Sequence, residues 1–490
     1  MQPTVTMVSA GLLVPKKGDS LAARAQLYLN YGLLGLTTIL HRRGFNARMF
    51  HGEFRAPELL VRVLAREGAI TPPAVVCLSL PSFFSVPWAR RFALELKAKH
   101  PEVRLILGGR WVIGNDDSWI RRMIPWADLA VAGTAERRIV DIVSASEHHV
   151  SYAANAVRQE APASCDEFPD HDFGLNYEYL KYQPTVECSR GCGLGCAFCV
   201  ERETPMTRMR APTKVADALQ AAHRAYRGGT ITPYFQASMF LPSECWAVAF
   251  RGLCRSRGLS VNWRCETRVD LMSMHALAAL AEAGLKVVDV GLESASPAQL
   301  RAMRKTRDPR AYLTRASEFL RVAHSCGIWS KVNILLYAGE TLSTLEDTCD
   351  WLDRHRPYIK GISAYPVMVY GCGPEARLML AKLRALGADA VDEATIDADG
   401  YCNVHLSQEV DHALACAKAR DISQRFMSAR DYFDLKAFSY FPRGFTYAEF
   451  CRLCEGTPAA LLPFGHLDQA SDARTARKPL CPALVGQASR

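Results

Sequence analysis

Strand-like and helix-like segments alternate along most of the chain, and this alternation restricts the possible folds more than any other feature. In the first 145 residues, apolar and β-branched runs predict strands, and Leu29, Leu33 and Leu36 at helical spacing predict a helix between two of them. The predicted strands are residues 4–14, 45–50, 74–80, 103–107 and 129–132. Strands joined by helices form parallel sheets, because a parallel crossover needs a long connection. We therefore predict a doubly wound, Rossmann-like domain over residues 1–148.

The alternation resumes after a polar linker over residues 149–182, which contains Pro162 and Pro169. Six further strands are predicted, at residues 185–187, 233–237, 261–267, 287–292, 331–337 and 362–369. Six βα units are too few for a closed eight-stranded barrel, so the pattern favours an open, partial (βα)6 barrel over residues 183–372. Residues 373–490 lose the alternation and are predicted to be a mainly helical domain. The fold class is thus α/β, in three domains.

Composition agrees with a multidomain globular protein and excludes several other classes. The chain has 490 residues, 49% hydrophobic and 22% charged, which excludes disordered, collagen-like and coiled-coil proteins. The net charge of +9 is spread along the chain, so it indicates a slightly basic surface and no nucleic-acid partner. The longest apolar run, residues 75–89, is interrupted by two prolines, and the N-terminus lacks the pattern of a signal peptide. We expect a cytoplasmic protein without a membrane partner.

The 17 cysteines of a cytoplasmic chain are expected to be thiols or metal ligands. Three of them, Cys192, Cys196 and Cys199, have a CxxxCxxC spacing in a glycine-rich loop, with Phe198 just before the last. Glycines let three thiolates converge while backbone amides point at the sulfides of an iron–sulfur cluster. The loop directly follows the predicted strand 185–187, which places it at the carboxyl-end mouth of the barrel.

Two other sites are compatible with cysteines at this spacing. A structural zinc site needs four ligands, and Cys188 would supply the fourth. An electron-transfer cluster that is fully ligated also uses four cysteines. Three cysteines on a cluster instead leave one iron open. The spacing favours an iron–sulfur site over zinc, and Cys192, Cys196 and Cys199 are the predicted metal ligands.

The loop resembles the signature of the radical S-adenosylmethionine (radical SAM) enzymes. The flanking residues Ser189-Arg190-Gly191-Cys192 are similar to the version in the cobalamin-dependent branch of that superfamily, and the resemblance extends over residues 185 to about 370. It implies a 4Fe–4S cluster on the three cysteines. It also implies that the open iron binds the amino and carboxylate groups of SAM.

Segments after the later strands resemble the SAM pocket of that branch. They are residues 264–270, Gly291-Leu292-Glu293-Ser294 and Gly339-Glu340-Thr341. The resemblance implies that SAM is bound by Phe198, Arg268, Glu293, Ser294 and Glu340. Structural alternatives exist for three of these: Arg268 paired with Asp270, Glu293 capping a helix, and Glu340 stabilised at a helix N-terminus beside the cap Thr341.

The N-terminal domain resembles the cobalamin-binding domain of the same branch. The resemblance implies cobalamin contacts from Ser79, Gly108, Gly109 and Gly133. Gly133-Thr134-Ala135-Glu136 departs from the more usual Gly-Glu-x-Glu, and residues 235–240 lack an acidic residue that relatives often carry. No Asp-x-His-x-x-Gly occurs, although this branch generally lacks that histidine ligand. The alternative is an inherited domain that has lost its cofactor.

Cysteines near the C-terminus offer a further possible site. Thr446 and Glu449 predict a capping box that opens a helix, which places Cys451 and Cys454 on one face. The pair is suited to a soft metal or metalloid, but the surrounding apolar residues favour two buried thiols. An auxiliary cluster would need more ligands, and only Cys481 is near in sequence.

Together these features predict a radical SAM transferase whose catalytic residues the sequence does not assign. The expected reaction is cobalamin-dependent methylation of an unactivated carbon or poor nucleophile in a small, natural-product type molecule. The expected electron source is a low-potential donor such as flavodoxin or ferredoxin. One alternative is cobalamin-independent transfer of the SAM aminocarboxypropyl group to a soft heteroatom. A second is a non-catalytic iron–sulfur or zinc redox protein.

Overall fold

The structure, a computed structural model, describes residues 4–15, 20–113, 117–145, 165–371 and 373–465. The N-terminal domain contains β1 (Thr4–Ser9), α1 (Leu21–Arg24), α2 (Tyr31–Arg42), β2 (Asn46–His51), α3 (Pro57–Arg66), β3 (Ala74–Ser79), α4 (Val86–Lys99), β4 (Arg104–Gly108), α5 (Arg110–Ile113), α6 (Asp117–Met123), β5 (Leu129–Ala130) and α7 (Ile139–Ser144). Its five strands are all parallel, in the order β2-β1-β3-β4-β5. The predicted doubly wound domain is confirmed.

The strand order reverses between β1 and β3, which makes the crevice beyond these two strands the topological switch point of the sheet. All six residues of β3 are buried, as expected for a central strand with helices on both faces. The prediction that the first strand extends to residue 14 is wrong, because the chain leaves the sheet after Ser9. At Gly11 it passes so close to the end of β2 that a Cβ would lie 2.5 Å from the carbonyl oxygen of Glu53.

The second domain is a six-stranded parallel sheet whose strands lie in sequence order. Its elements are β6 (Thr185–Glu187), α8 (Pro212–Ala225), β7 (Tyr234–Gln236), α9 (Glu244–Ser256), β8 (Trp263–Arg268), α10 (Met274–Glu282), β9 (Leu285–Glu293), α11 (Pro297–Ala302), α12 (Pro309–Ser325), β10 (Trp329–Leu336), α13 (Leu342–His355) and β11 (Ile359–Pro366). This confirms the partial (βα)6 barrel. Apolar residues of one sheet face, including Cys265, Val290 and Val332, pack in the core shared with the outer helices. The opposite face lines the inside of the barrel.

The C-terminal region is mainly helical, as predicted, but it also forms a small antiparallel sheet. After β12 (Met368–Tyr370) come α14 (Gly373–Arg384), β13 (Asp389–Ala390), α15 (Thr395–Asp399), β14 (Tyr401–His405), α16 (His412–Phe426), α17 (Ala429–Ala437) and α18 (Tyr447–Cys454). The three short strands pair in the order β12-β14-β13. The predicted strand 362–369 is therefore two strands that belong to different sheets.

The C-terminal region closes one end of the barrel together with the segment that precedes α2. The guanidinium of Arg264 on β8 donates to the carbonyl of Leu435 on α17 at 2.6 Å. The backbone N–H of Leu27 donates to the carbonyl of Tyr440 at 2.6 Å, and the Gln26 amide donates to the Tyr432 hydroxyl at 2.8 Å. The opposite end of the barrel, where the strands end, is therefore the open one.

The predicted domain boundaries at residues 148, 182 and 372 stay predictions, since residues 146–164 and 372 lie outside the described parts of the chain. Within the described ranges, none of the helices combines the length and apolar character that crossing a bilayer requires.

Candidate active site at the cysteine loop

The loop after β6 carries three glycines in a left-handed backbone conformation, and Gly191 shows why. Gly191 has φ +72°, and a Cβ there would lie 2.1 Å from the carbonyl oxygen of Pro205. The loop thus folds back tightly on residues 204–206, and the Cys192 N–H donates to the Thr204 carbonyl at 2.9 Å. A residue with a side chain does not fit at position 191 without moving the backbone.

The three predicted ligands lie together on this loop. Cys196 is buried, and Cys192 and Cys199 are half-buried. Burial raises the pKa of Cys199, the N–H of Glu201 at 3.4 Å from its sulfur lowers it, and the nearby thiols of Cys196 and Cys192 raise it further. Among the described residues, no three His, Cys, Asp or Glu side chains are grouped tightly enough for a single metal ion. Three thiols on one glycine-rich loop, with the N–H of Glu201 directed at the Cys199 sulfur, suit an iron–sulfur cluster.

Cys188, the alternative fourth ligand, lies at the end of β6 in the protein core. It is fully buried, and its thiol donates to the carbonyl of Val186 at 3.5 Å. Burial raises its pKa well above the ordinary value, which disfavours the thiolate that a metal requires. The Cys188 sulfur is therefore hydrogen-bonded to a residue of its own strand and lies away from the loop.

Arg268 at the end of β8 links the barrel to the cysteine loop. Its guanidinium pairs with both carboxylate oxygens of Asp270 at 2.9 Å, and it also donates to the carbonyl of Lys305 at 2.7 Å. Its Nη1 lies 3.7 Å from the sulfur of Cys196. The structure therefore contains the predicted pairing with Asp270, and the same side chain also reaches one of the predicted ligands.

Glu293 at the end of β9 has a left-handed backbone, with φ +68°, and pairs with a buried lysine. Its Oε1 accepts from the Nζ of Lys305 at 3.0 Å, and that Nζ lies 5.9 Å from the ring centroid of Phe198. The next helix, α11, is preceded by Ser296, so the alternative of a helix cap for Glu293 is wrong. Sequence reasoning missed Lys305, because nothing in its local pattern marks it.

The other two predicted SAM contacts are engaged in local structure. The hydroxyl of Ser294 lies 3.0 Å from that of Thr348 and accepts the N–H of Ser296. Glu340 accepts from the Tyr337 N–H at 3.2 Å and from the Thr344 hydroxyl at 2.6 Å. Burial raises the pKa of Glu340 to about 7. For Glu340 the observed contacts match the helix N-terminal alternative.

The carboxyl edge of the N-terminal sheet carries the four residues predicted for cobalamin. The amide of Asn30 spans the switch point, donating to the hydroxyls of Ser9 at 3.1 Å and Ser79 at 3.3 Å. Gly109, with φ +96°, lies against this same strand end, where a Cβ would be 2.7 Å from the Ser79 oxygen. Above Gly108 there is space, because a Cβ would meet only the carbonyl of Val131, at 3.8 Å. Gly133 also has a left-handed backbone, with φ +86°.

The only histidine at these strand ends within the described residues, His51, is not placed to be a metal ligand. Its Nε2 accepts the N–H of Asn30 at 3.1 Å, and its Nδ1 lies 3.1 Å from the amide oxygen of Asn176. Burial lowers its pKa to about 4, so the ring is neutral. Both ring nitrogens are therefore occupied by protein contacts.

Ion pairs join this sheet edge to the cysteine loop. Arg190, next to Gly191, pairs with Glu136 of the N-terminal domain at 2.5 Å and with Glu187 on β6 at 2.5 Å. A second pair links Arg110 to Glu201, two residues after Cys199. The sheet edge predicted to bind cobalamin and the loop predicted to bind the cluster therefore face each other. Sequence reasoning named Glu136 only as the last residue of the segment Gly133-Thr134-Ala135-Glu136 and missed this contact.

The C-terminal cysteines pack as thiols in an apolar cluster. Cys454 is buried with Phe450 and Tyr432, and burial together with Cys451 raises its pKa to about 11. Cys454 is thus the buried thiol that was expected, whereas Cys451 is half-buried against the same cluster. Cys481, the remaining candidate ligand, lies outside the described residues.

Residues 186–352, which include the cysteine loop and strands β6 to β10, match the family model of the radical SAM superfamily. The chain carries a radical SAM domain. A 4Fe–4S cluster and SAM are the cofactors that this superfamily implies, as the sequence predicted.

Two curated relatives match parts of the chain. An uncharacterised methyltransferase of Pyrococcus horikoshii is 25% identical over 268 residues, which are 50% of this chain and 57% of the relative. A chloroplastic lipoyl synthase of Chlamydomonas reinhardtii is 31% identical over 165 residues, or 33% of this chain and 36% of that enzyme. The chain thus spans little more than half the length of the first relative.

Two solved structures share the fold over most of the chain. OxsB, a cobalamin-dependent radical SAM enzyme with aqua-cobalamin bound, superposes with a TM-score of 0.57 at 17% identity, over 72% of this chain and 52% of OxsB. The radical SAM methyltransferase TsrM of Kitasatospora setae, with cobalamin and a [4Fe–4S] cluster bound, gives 0.55 at 17% identity, over 75% of this chain and 72% of TsrM. At this level of identity the likeness shows a common fold.

Proposed function

We propose that the chain is a radical SAM transferase that moves the methyl group of SAM to a small molecule, with cobalamin held by its N-terminal domain. One observation carries this proposal: the carboxyl edge of the N-terminal sheet faces the cysteine loop and is joined to it by the Arg190–Glu136 pair. A group that must pass from SAM to a second cofactor needs the two binding surfaces to be held in a fixed relation.

In this proposal Cys192, Cys196 and Cys199 are the cluster ligands and Cys188 is not. When bound, a cluster with three thiolate ligands supplies an electron to SAM and an open iron for the amino and carboxylate groups of SAM. The loop contributes the N–H of Glu201, which points at the Cys199 sulfur. Arg268, 3.7 Å from the Cys196 sulfur, offsets part of the negative charge that three thiolates bring.

The SAM pocket is proposed at the ends of β8, β9 and β10. Phe198 provides a wall, and its carbonyl is held by the Tyr370 hydroxyl at 2.8 Å. Glu293, fixed by Lys305, has a second carboxylate oxygen available to accept from a ribose hydroxyl. Ser294 and Glu340 act by holding the strand ends in place, as their local hydrogen bonds indicate.

Cobalamin is proposed to lie against Ser79, Gly108, Gly109 and Gly133. When bound, it supplies a carrier for the methyl group between SAM and the acceptor. The space above Gly108 lets a flat, bulky ligand approach the backbone. Since both nitrogens of His51 are occupied, the described residues at the strand ends offer no imidazole ligand, in agreement with the missing Asp-x-His-x-x-Gly. The proposed electron source is flavodoxin or ferredoxin.

The experiment is product analysis after anaerobic reconstitution of the iron–sulfur cluster with hydroxocobalamin present. SAM is supplied in two batches, one labelled in the methyl group and one in the aminobutyrate portion, and a natural-product extract is offered as acceptor. The proposal predicts methyl label in a small-molecule product, and only when cobalamin is present. Aminobutyrate label in the product, or no SAM cleavage at all, overturns it.

A further inference from the structure

The inner face of β8 carries a carboxylate, Glu266, that the proposed function has not used. Side chains alternate across a strand, so Arg264, Glu266 and Arg268 share one face. This face is the inside of the barrel, because Arg264 contacts Asp289 on β9 and Arg268 contacts Cys196 on the loop. Glu266 lies two residues, about 7 Å along the strand, from Arg268.

The charged groups around Glu266 are paired with one another. Arg264 binds both carboxylate oxygens of Asp289, at 2.6 and 2.7 Å, and Lys331 on β10 lies 3.2 Å from the same carboxylate. Lys331 also donates to the amide oxygen of Asn333 at 2.7 Å. Nearer the open end, Arg268 is paired with Asp270, and Glu293 with Lys305. The cations of the barrel interior are thus committed to other carboxylates.

Glu266 itself has no hydrogen-bond or ion-pair partner among the residues that the structure describes. Its side chain is exposed although it points into the barrel, so it borders a solvent-accessible space inside the barrel. Desolvation by the protein that encloses this space raises the pKa of Glu266 to about 7, and the carboxylates of Asp289 and Glu293 act in the same direction. The cations of Lys331 and Arg264 oppose this rise. A carboxylate in such surroundings gains more from a charged hydrogen-bond donor than one at the outer surface.

The floor of this space is aromatic. The ring of Tyr440 lies over the Arg264 guanidinium at 5.0 Å, and the ring of Tyr28 lies 4.9 Å from that of Tyr440. The side chain of Tyr28 is also in contact with solvent. The protein around its hydroxyl nevertheless desolvates it and raises its pKa to about 12. Aromatic surface of this kind suits a ligand with an apolar or aromatic body.

We propose that Glu266 is the substrate-binding residue that receives a protonated amine, so that the acceptor molecule is a small amine with an apolar or aromatic body. This inference rests on the proposed function, since it takes the barrel interior beside the cysteine loop as the place of the acceptor. The ammonium group would donate to the free carboxylate of Glu266. The body of the molecule would lie between the tyrosine floor and the cysteine loop.

The test uses three probes of similar shape: tyramine as the cation, 4-ethylphenol as the neutral analogue, and 3-(4-hydroxyphenyl)propionate as the anion. Their affinities for the anaerobic, cluster-containing protein with SAM are measured by calorimetry at pH 8. We expect tyramine to bind at least tenfold more tightly than 4-ethylphenol, and the anion to bind most weakly. Equal affinity for the three probes overturns the proposal.

Two variants that remove the same charge show whether Glu266 is responsible. Glu266→Gln is expected to abolish the tyramine preference, while Glu318→Gln, on the outer surface of α12, is expected to keep it. Gln at position 266 keeps the size of the side chain, and absorbance of the cluster verifies that each variant is folded. A preference that survives Glu266→Gln overturns the proposal.

The cleavage of SAM, assayed in parallel, separates this inference from the proposed function. A tyramine preference without SAM cleavage supports the amine site and overturns the proposed function. SAM cleavage without any preference among the probes overturns the amine site alone.

Discussion

At the scale of single residues, four cysteines lie between positions 188 and 199, and the structure separates one of them from the rest. Cys188 is buried at a strand end, whereas Cys192, Cys196 and Cys199 lie on one loop. The spacing alone left zinc with four ligands open, because sequence does not show which way a side chain at a strand end points. The hydrogen bond from the Cys188 thiol to the Val186 carbonyl shows which way this side chain points.

We predict that Cys196→Ala abolishes both the absorbance of the reconstituted cluster and the cleavage of SAM, because two thiolates do not hold the cluster. Cys188→Ala is the matched control and should retain most of the iron and the SAM cleavage. Iron and sulfide analysis together with chromatography of the SAM products measures both. Full cluster content in Cys196→Ala, or its loss in Cys188→Ala, contradicts the assignment.

Glu340 provides a prediction on pH dependence. Its pKa rises from 4.5 in the unfolded chain to about 7 in the folded protein, so the folded state binds this proton more tightly. The free energy of unfolding should therefore decrease between pH 4.5 and 7, by up to about 3 kcal/mol from this group. Glu340→Gln should remove that part of the decrease, which denaturant unfolding at pH 5 and pH 8 measures. If the free energy of unfolding differs between pH 5 and pH 8 by the same amount in Glu340→Gln as in the unchanged protein, Glu340 is not the group involved.

At the scale of elements, the turn of the cysteine loop depends on one glycine more than on another. Gly191 and Gly195 have similar backbone angles, φ +72° and +74°, but only at Gly191 would a Cβ collide with backbone. Both alanine variants bear the left-handed strain of about 1–2 kcal/mol. At position 191 the added Cβ also collides with the carbonyl of Pro205, so the backbone of the loop has to shift.

Gly191→Ala is therefore predicted to lose most of its cluster, while Gly195→Ala should retain the larger part. Circular dichroism verifies that both are folded, and the iron content per chain gives the comparison. If the two variants retain equal amounts of iron, the collision with Pro205 does not control the loop.

The elements themselves were largely predictable from the sequence. The strand at 185–187 has the predicted bounds, and the strand predicted at 74–80 ends one residue earlier, because a strong local pattern and clear ends coincide there. The antiparallel sheet was not predicted, since β12 and β13 have only three and two residues and pair with β14 across intervening helices. Two ion pairs were also missed, because their partners come from different parts of the fold: Lys305 with Glu293, and Glu136 with Arg190. Such pairs are created by the fold and leave no mark on local sequence.

At the scale of the whole molecule, the interface between the first two domains is the feature that gives the proposed function its geometry. Glu136 and Arg190 are mostly buried there, with 11% and 20% of their side chains exposed. Removing Glu136 leaves Arg190 with Glu187 as its remaining partner. The cost is therefore smaller than the several kcal/mol of an uncompensated buried charge.

Glu136→Gln is predicted to lower the rate of methyl-product formation by about tenfold, the equivalent of 1.4 kcal/mol, while cluster content stays unchanged. The matched control is Glu167→Gln, which breaks the more exposed pair with Arg137. Single-turnover assays on both variants measure the effect. Equal rates in the two variants would show that the interface pair does not hold the domains for transfer.

The central claim is that one molecule holds cobalamin and the cluster on facing surfaces, and electron paramagnetic resonance of the reduced protein tests it most directly. Reduction gives a paramagnetic cluster and paramagnetic cobalt in the same sample. The account predicts that cobalt relaxes faster when the cluster is reduced than in Cys196→Ala, which retains the N-terminal domain but lacks the cluster. A cobalt signal that is the same in both proteins, or no bound cobalt after dialysis, would contradict the account.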